Sequence, residues 1–153
     1  MAKIKAAGFT DIIVDVRPTT GDVLFNTDVV DQVKRMDVWG NSGYSYYERT
    51  ETWDYLQAFI DEARKQELKV NASINTFVGG YLCPYNLGHD GVLFRDDSKK
   101  GWASVANLAD GLTNTMDLLD DGVDYGAKFF NPANDDVQNF VLQLLADLAK
   151  YDL

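Results

Sequence analysis

The stretch DIIVDVRP at residues 11–18 predicts a β-strand with one apolar face and one polar face. Because side chains alternate across a strand, the aliphatic residues at every second position from Ile12 to Val16 share one face. Asp15 and Arg17 fall on the opposite face, close to the carboxyl end of the strand. We therefore expect a packed layer on one side of this strand and ionisable groups on the other.

A second stretch, KVNASIN at residues 69–75, repeats this pattern. Val70 and Ile74 lie on its apolar face, whereas Asn71 and Asn75 lie on its polar face. A helix predicted between the two stretches favours parallel pairing of the strands. In α/β proteins the carboxyl ends of parallel strands form the rim where ligands bind, so we expect ligand contacts at the ends of these two strands.

Three helices are predicted from apolar residues spaced three and four positions apart. The first covers residues 4–7 and ends at a glycine, and the second starts near Thr52. The third has the clearest pattern of apolar residues. Asn131 or Asn134 can cap its start, and Pro132 suits its first turn.

The two connections from strand to helix are predicted to be long, at residues 19–51 and 76–132, whereas the turns from helix to strand are short. Loops of such length are uncommon unless they are functional. Aromatic rings in these loops can stack on sugar rings, and the alternative is that they form small cores beneath the loops. The aromatic residues of the two loops include Phe25, Trp39, Tyr44, Tyr46, Tyr47, Tyr81, Tyr85, Trp102 and Tyr125.

Composition and charge limit the classes of partner. The 153-residue chain carries a formal net charge of -10, which argues against nucleic acid as a partner because binding phosphates requires clustered Lys and Arg. No apolar run has the length of a membrane span, and no leader segment is recognisable. Cys83 is the single cysteine and His89 the single histidine, so neither a disulfide nor a metal site is predicted. No cofactor is predicted either.

Several short motifs follow one another along the chain: KAAGFT at 5–10, VDVRP at 14–18, Gly21-Asp22, KQELKVNASIN at 65–75 and FFNP at 129–132. Together they cover nearly the whole chain, which makes them more specific than any one of them alone. In this order they resemble the family 10 glycosylhydrolase-like proteins, once called a domain of unknown function.

The resemblance implies a TIM-barrel glycosidase, mostly secreted, periplasmic or associated with the bacterial cell envelope. The fold class is then α/β, and residues 1–153 form a single incomplete fragment of a (β/α)8 barrel that includes about strands two and three. A complete barrel takes about 250 residues. By this comparison the main catalytic carboxylates lie outside the chain, so we expect the chain alone to be inactive. Its open sheet edges favour self-association.

Substrate-binding residues are predicted at the rim formed by the strand ends. Asp15 and Arg17 are two residues apart on one predicted face, so we expect an ion pair that suits a structural or orienting role. Arg17 can also donate to a sugar hydroxyl or to a carboxylate outside the chain. Asn75 occupies the equivalent position on the next strand, and its amide can donate to hydroxyls and accept from them. Replacing Arg17 or Asn75 is expected to weaken activity with little loss of stability.

Three loop residues complete the predicted site. Asp22 follows Gly21, where it is either a ligand for sugar hydroxyls or a turn residue. Tyr85 and Trp102 are the loop aromatics predicted to contact carbohydrate. Two functions remain open: part of a glycoside hydrolase that supplies substrate-binding loops, or a carbohydrate-binding or self-associating barrel fragment without catalysis. A strand containing an aspartate encoded directly after residue 153 would favour the first, and a stop codon there would favour the second.

Overall fold

The computed structural model describes residues 1–40, 43–49, 51, 53–82, 89–118 and 126–153. Helices and strands are mixed along the chain, in agreement with the predicted α/β class. The helices are α1 (Ala2–Ala6), α2 (Tyr55–Arg64), α3 (Val92–Arg95) and α4 (Asp135–Leu148), with 3₁₀ helices at Asp97–Trp102 and Thr115–Leu118. The strands are β1 (Asp11–Arg17), β2 (Arg35–Gly40), β3 (Gly43–Glu48), β4 (Lys69–Ile74), β5 (Val78–Leu82), β6 (His89–Asp90), β7 (Val105–Leu108), β8 (Gly111–Asn114) and β9 (Gly126–Phe129).

Strands β1 and β4 pair in parallel, with α2 between them in the chain, as the sequence predicts. The register runs from Asp11 opposite Lys69 to Arg17 opposite Ile74, and it shifts between Asp15 and Arg17. The described strands form sheets of only two or three strands, and sheets of this size give no evidence for a barrel. The partial barrel therefore stays a prediction.

The two faces of the β1–β4 sheet differ as predicted. One face joins α2 and α4 in the main core, while the other face is exposed, including Ile13 with 76% of its surface accessible. The exposed face is otherwise polar, with Asp11 and Asp15 on β1 and Asn71 and Ser73 on β4. The buried residues that these four elements contribute to the core are Val14, Val16, Leu56, Ile60, Ala63, Val70, Val137, Phe140, Val141, Leu144 and Leu148.

The two long connections contain strands of their own, which the sequence pattern did not predict. Strands β2 and β3 form an antiparallel hairpin, β5 pairs antiparallel with both β6 and β9, and β7 and β8 form a second hairpin. Strands β5 to β9 have five residues or fewer, and β5 contains Gly79 and Gly80. Glycine weakens the sequence pattern of a strand because it contributes no side chain to pack.

Side-chain caps fix the starts of the two long helices. Asn134 caps α4 by accepting hydrogen bonds from the backbone of Asp136 and Val137, so it is the N-cap rather than Asn131, and Pro132 precedes the helix instead of lying in its first turn. Helix α2 begins at Tyr55, later than predicted. Asp54 caps this helix, because its carboxylate accepts a hydrogen bond from the backbone N–H of Gln57 in the first turn.

Four glycines allow three segments of backbone to cross at close range. Gly21 and Gly91 have φ angles of +83° and +88°, which disfavour other residues. A Cβ atom at either position would contact the backbone of Gly79 and Gly80 in β5. The crossing joins the turn after β1, strand β5 and the start of α3. Among the described residues, no helix has both the length and the apolar character that crossing a membrane requires.

Candidate functional site

A cleft of about 490 Å³ lies at the carboxyl end of β1, and we call it the β1 cleft. It is partly enclosed, and the described residues of its walls supply aromatic rings, carboxylates and the guanidinium group of Arg49, with aliphatic side chains between them. Its lining residues are Asp15, Pro18, Leu24, Val33, Tyr47, Glu48, Arg49, Glu51, Tyr55 and Phe59. This composition is typical of a site for a polar ligand that also has apolar faces.

Arg49 joins three segments of the cleft wall. Its Nη2 donates to the carbonyl oxygen of Trp53 at 2.8 Å, and its Nη1 donates to the carbonyl oxygen of Val33 at 3.4 Å. The guanidinium carbon lies 4.4 Å from the ring centroid of Tyr55, within the range of a cation–π contact. Arg49 therefore holds the residues after β3, the start of α2 and the segment before β2 in one arrangement.

The aromatic part of the cleft is supported from the helix side. The rings of Trp53 and Tyr55 lie 4.2 Å apart between centroids. Asp54, which caps α2, also accepts a hydrogen bond from the Tyr151 hydroxyl, so the carboxyl-terminal segment braces this wall. Tyr47 lies at the mouth of the cleft, with 58% of its surface exposed.

Arg17 does not pair with Asp15, so the predicted ion pair is wrong. Arg17 is only 1% exposed, whereas Asp15 is exposed on the other face of the sheet, because the register shift between them breaks the strict alternation. The Arg17 guanidinium donates to three carbonyl oxygens: those of Asn75, Thr76 at 3.3 Å and Val78 at 2.5 Å. Arg17 thus holds the turn between β4 and β5.

The surroundings of Arg17 are apolar as well as polar. Its guanidinium carbon lies 5.9 Å from the ring centroids of both Phe130 and Phe140. Burial lowers the pKa of Arg17 to about 10, while the nearby charge of Asp22 acts in the opposite direction. The side chain therefore stays protonated at neutral pH in a buried position.

Asn75 is likewise bound to the backbone. Its Nδ2 donates to the carbonyl oxygen of Arg17 at 3.0 Å, and its own carbonyl oxygen accepts from the Arg17 side chain. The two residues predicted to bind sugar at the strand ends therefore bind each other. Of the predicted rim residues, Asp15 is the one that lines the β1 cleft.

Asp22 is buried, with 1% exposure, and forms the centre of a second cluster. Both of its carboxylate oxygens accept hydrogen bonds from Arg95, at 2.7 and 2.8 Å. Arg95 also donates to Asp90 at 3.0 Å and to Asp31 at 3.2 Å. Asp22 is therefore neither a turn residue nor a ligand exposed to substrate, because its oxygens are committed to Arg95.

Burial and the charge of the ion-pair partner have opposite effects on the pKa values of Asp22 and Arg95. Burial raises the pKa of Asp22, although the hydrogen bonds and charge of Arg95 counteract part of the rise. Burial disfavours the charged form of Arg95, but the hydrogen bonds and charges of Asp22, Asp90 and Asp31 outweigh it and raise the pKa of Arg95. The cluster is a partly buried ion pair with two further carboxylates beside it.

Trp102 lies apart from the β1 cleft. It lines a second cleft of about 470 Å³, together with Asp31 and Arg95. Its ring centroid lies 6.0 Å from that of Phe130 and 5.6 Å from that of Phe140, and Lys99 Nζ lies 4.3 Å from its centroid. Trp102 therefore belongs largely to an aromatic core beneath the loop, the alternative that the sequence left open.

The structure divides the predicted site residues among different places. Tyr85 and Cys83 lie outside the described residues, and the side chain of His89 is not among those described. Within the described part of the chain, no group of three or more His, Cys, Asp or Glu residues is arranged to hold a metal ion.

The sequence reasoning missed the residues that build the two clefts, above all Arg49, Tyr55 and Arg95. No short motif marks them. A usable signal was the run of alternating residues at 43–48, which predicts a strand and hence a hairpin that would bring Arg49 back toward β1. Comparison of the chain with models of protein families, with curated proteins and with solved structures finds no match.

Proposed function

We propose that this chain is the substrate-binding part of a β/α-barrel glycoside hydrolase and that the β1 cleft holds the glycan. The observation that carries the proposal is the cleft itself, where Tyr47 and Tyr55 lie beside Asp15 and Arg49 at the carboxyl end of a parallel strand. In this fold class, ligands bind at the carboxyl ends of the strands.

The chemistry of the cleft suits a sugar. A pyranose has an apolar C–H face that packs on an aromatic ring and a rim of hydroxyls that donate to carboxylates. Tyr47 is an exposed ring at the mouth, and the carboxylate of Asp15 lies in the same cleft. Both kinds of contact are therefore available to one bound sugar.

The arrangement of β1, α2 and β4 supports the barrel part of the proposal. The strands are parallel, the chain returns from α2 to β4 within residues 65–68, and the segments after each strand are long. In a closed barrel the exposed polar face, with Asp11, Asp15, Asn71 and Ser73, would point into the interior. The main catalytic carboxylates and an envelope or secreted location belong to the same proposal, through the family resemblance.

A second candidate is a carbohydrate-binding fragment that associates with itself and has no catalytic role. The open edges of the β1–β4 sheet favour it, and Ile13, which is 76% exposed on the face of this sheet, would be the apolar centre of the contact. The sheet also has only two strands, and two strands alone are marginally stable.

The test of the glycan proposal is binding of a panel of neutral oligosaccharides to the 153-residue chain. We expect saturable shifts in amide NMR signals of the β1 cleft, with dissociation constants obtained from the titration. Tyr47→Ala is expected to weaken binding about tenfold, because it removes one stacking surface.

Phe9→Ala is the matched control for Tyr47→Ala. Phe9 is 60% exposed, close to the 58% of Tyr47, but it lies before the amino end of β1 and not in the cleft. We expect unchanged binding by this variant. Equal losses in both variants, or no binding of any oligosaccharide by the unmodified chain, would refute the proposal.

Self-association is tested by sedimentation equilibrium of the unmodified chain and of Ile13→Lys. We expect association of the unmodified chain, weakened at least about tenfold by a charge placed in an apolar contact. Leu142→Lys is the control, because Leu142 is 62% exposed on α4, away from the sheet face. A monomeric unmodified chain at every concentration would remove this candidate.

A further inference from the structure

We infer that the β1 cleft selects glycans with protonated amino groups over anionic glycans. The inference rests on the proposed function, because it names the class of sugar that the same cleft would accept. It is carried by the placement of charges on the part of the cleft wall that the structure describes, above all the carboxylates of Asp15 and Glu51.

The charges on the cleft wall are unbalanced. Among the described residues that line it, the carboxylates of Asp15 and Glu51 stand against the guanidinium of Arg49. Within the described part of the chain, neither Asp15 nor Glu51 forms a salt bridge. A ligand ammonium group therefore meets carboxylates that can accept its hydrogen bonds.

Arg49 is partly committed to the protein itself. Its Nη atoms donate to the backbone of Val33 and Trp53, and its guanidinium carbon lies over the ring of Tyr55. These contacts use two of its five N–H donors. A uronic acid carboxylate that approached Arg49 would also lie beside the carboxylates of the wall, which repel it.

Lys34, a described cation in a neighbouring hollow, does not reverse this balance. Lys34 lines a neighbouring hollow that it shares with Arg49 and Glu51, but its Nζ lies 2.8 Å from a carboxylate oxygen of Asp31. Lys34 is thus already paired. The exposed ring of Tyr47 adds to the preference for cations, because an ammonium group is attracted to an aromatic face.

The expected difference in affinity between the oligosaccharides is taken from the contribution that an exposed charge pair makes to binding. A single exposed pair changes affinity by up to about fivefold, and two carboxylates acting on one ligand by about tenfold. We therefore expect a fully de-N-acetylated chito-oligosaccharide to bind about tenfold more tightly than the N-acetylated oligosaccharide of equal length at low salt. An oligogalacturonate is expected to bind most weakly. The difference should shrink at high salt, since salt screens exposed charges.

The experiment titrates the 153-residue chain with these three oligosaccharides by calorimetry, at mildly acidic pH where the sugar amines are protonated. Asp15→Asn and Glu51→Gln are each expected to reduce the preference for the amino sugar about threefold. Both side chains are exposed, so neither variant threatens the fold. Asp110→Asn is the control: it removes an equal charge from an exposed turn outside the cleft, and we expect no change.

Each outcome decides between the two proposals. Absence of binding by all three oligosaccharides would overturn the proposed function. Binding of all three with equal affinity, or preference for the oligogalacturonate, would overturn the inference of charge selection and leave the glycan site standing. A loss of preference in Asp110→Asn as large as in Asp15→Asn would also overturn the inference, because the overall charge of the chain would then be the cause.

Discussion

Gly91→Ala is expected to lower the free energy of unfolding by about 4 kcal/mol, a loss that single substitutions rarely reach. Gly91 has a φ of +88°, and a Cβ at this position would lie 2.4 Å from the Cα of Gly80 and 2.7 Å from the carbonyl oxygen of Thr20. These neighbours are backbone atoms, which cannot rotate away as a side chain can. Urea unfolding of the variant, compared with the unmodified chain, measures the loss.

Gly111→Ala is the control that measures the cost of a positive φ without the steric clash expected at Gly91. Gly111 has an even larger φ of +117°, but no atom lies within 4 Å of the Cβ that alanine would add. We expect a loss of only about 1 kcal/mol, which is the cost of the conformation alone. Equal losses in the two variants would show that the crossing of segments at Gly91 is looser than the structure has it.

Arg17→Met is the second change with a large expected effect, at about 3 to 5 kcal/mol of unfolding free energy. Methionine keeps much of the volume between Phe130 and Phe140 but cannot donate hydrogen bonds. The carbonyl oxygens of Asn75, Thr76 and Val78 would lose their side-chain donor. This expectation replaces the one from the sequence, which was little loss of stability.

Arg64→Met is the control for a surface arginine. Arg64 is half exposed and pairs with Asp152 at the surface, so its loss is expected to cost less than about 1 kcal/mol. Thermal unfolding of both variants, followed by circular dichroism, gives the comparison. A loss in Arg17→Met no greater than in Arg64→Met would contradict the structural role that these hydrogen bonds assign to Arg17.

The elements that the sequence predicted well are those with a long and regular pattern. Strands β1 and β4 have bounds within one residue of the prediction, because apolar residues recur at every second position along one face of each. Helix α4 was also predicted, since five buried residues recur along its fourteen residues. Strands β5 to β9 were not predicted, because each has five residues or fewer and β5 contains two adjacent glycines. Strands β2 and β3 were missed although each has six residues, as many as β4.

The candidate site was predicted in position but not in composition. Alternation placed ligand contacts at the carboxyl end of β1, and Asp15 does line a cleft there. The same alternation put Arg17 on the wrong face, because a register shift is a property of strand pairing and leaves no mark on the strand itself. Arg49 and Tyr55 come together only through a hairpin and a helix cap, which local patterns do not resolve.

Arg95 binds Asp22 across 73 positions of sequence, and Asp90 and Asp31 complete its surroundings. This ion pair therefore joins the two long connections of the chain to each other. If one connection were transferred to another protein without the other, the carboxylate of Asp22 and the guanidinium of Arg95 would be separated. We expect natural variation at positions 22 and 95 to be correlated for the same reason, because without the carboxylate at position 22 the guanidinium at position 95 loses its main hydrogen-bond acceptor.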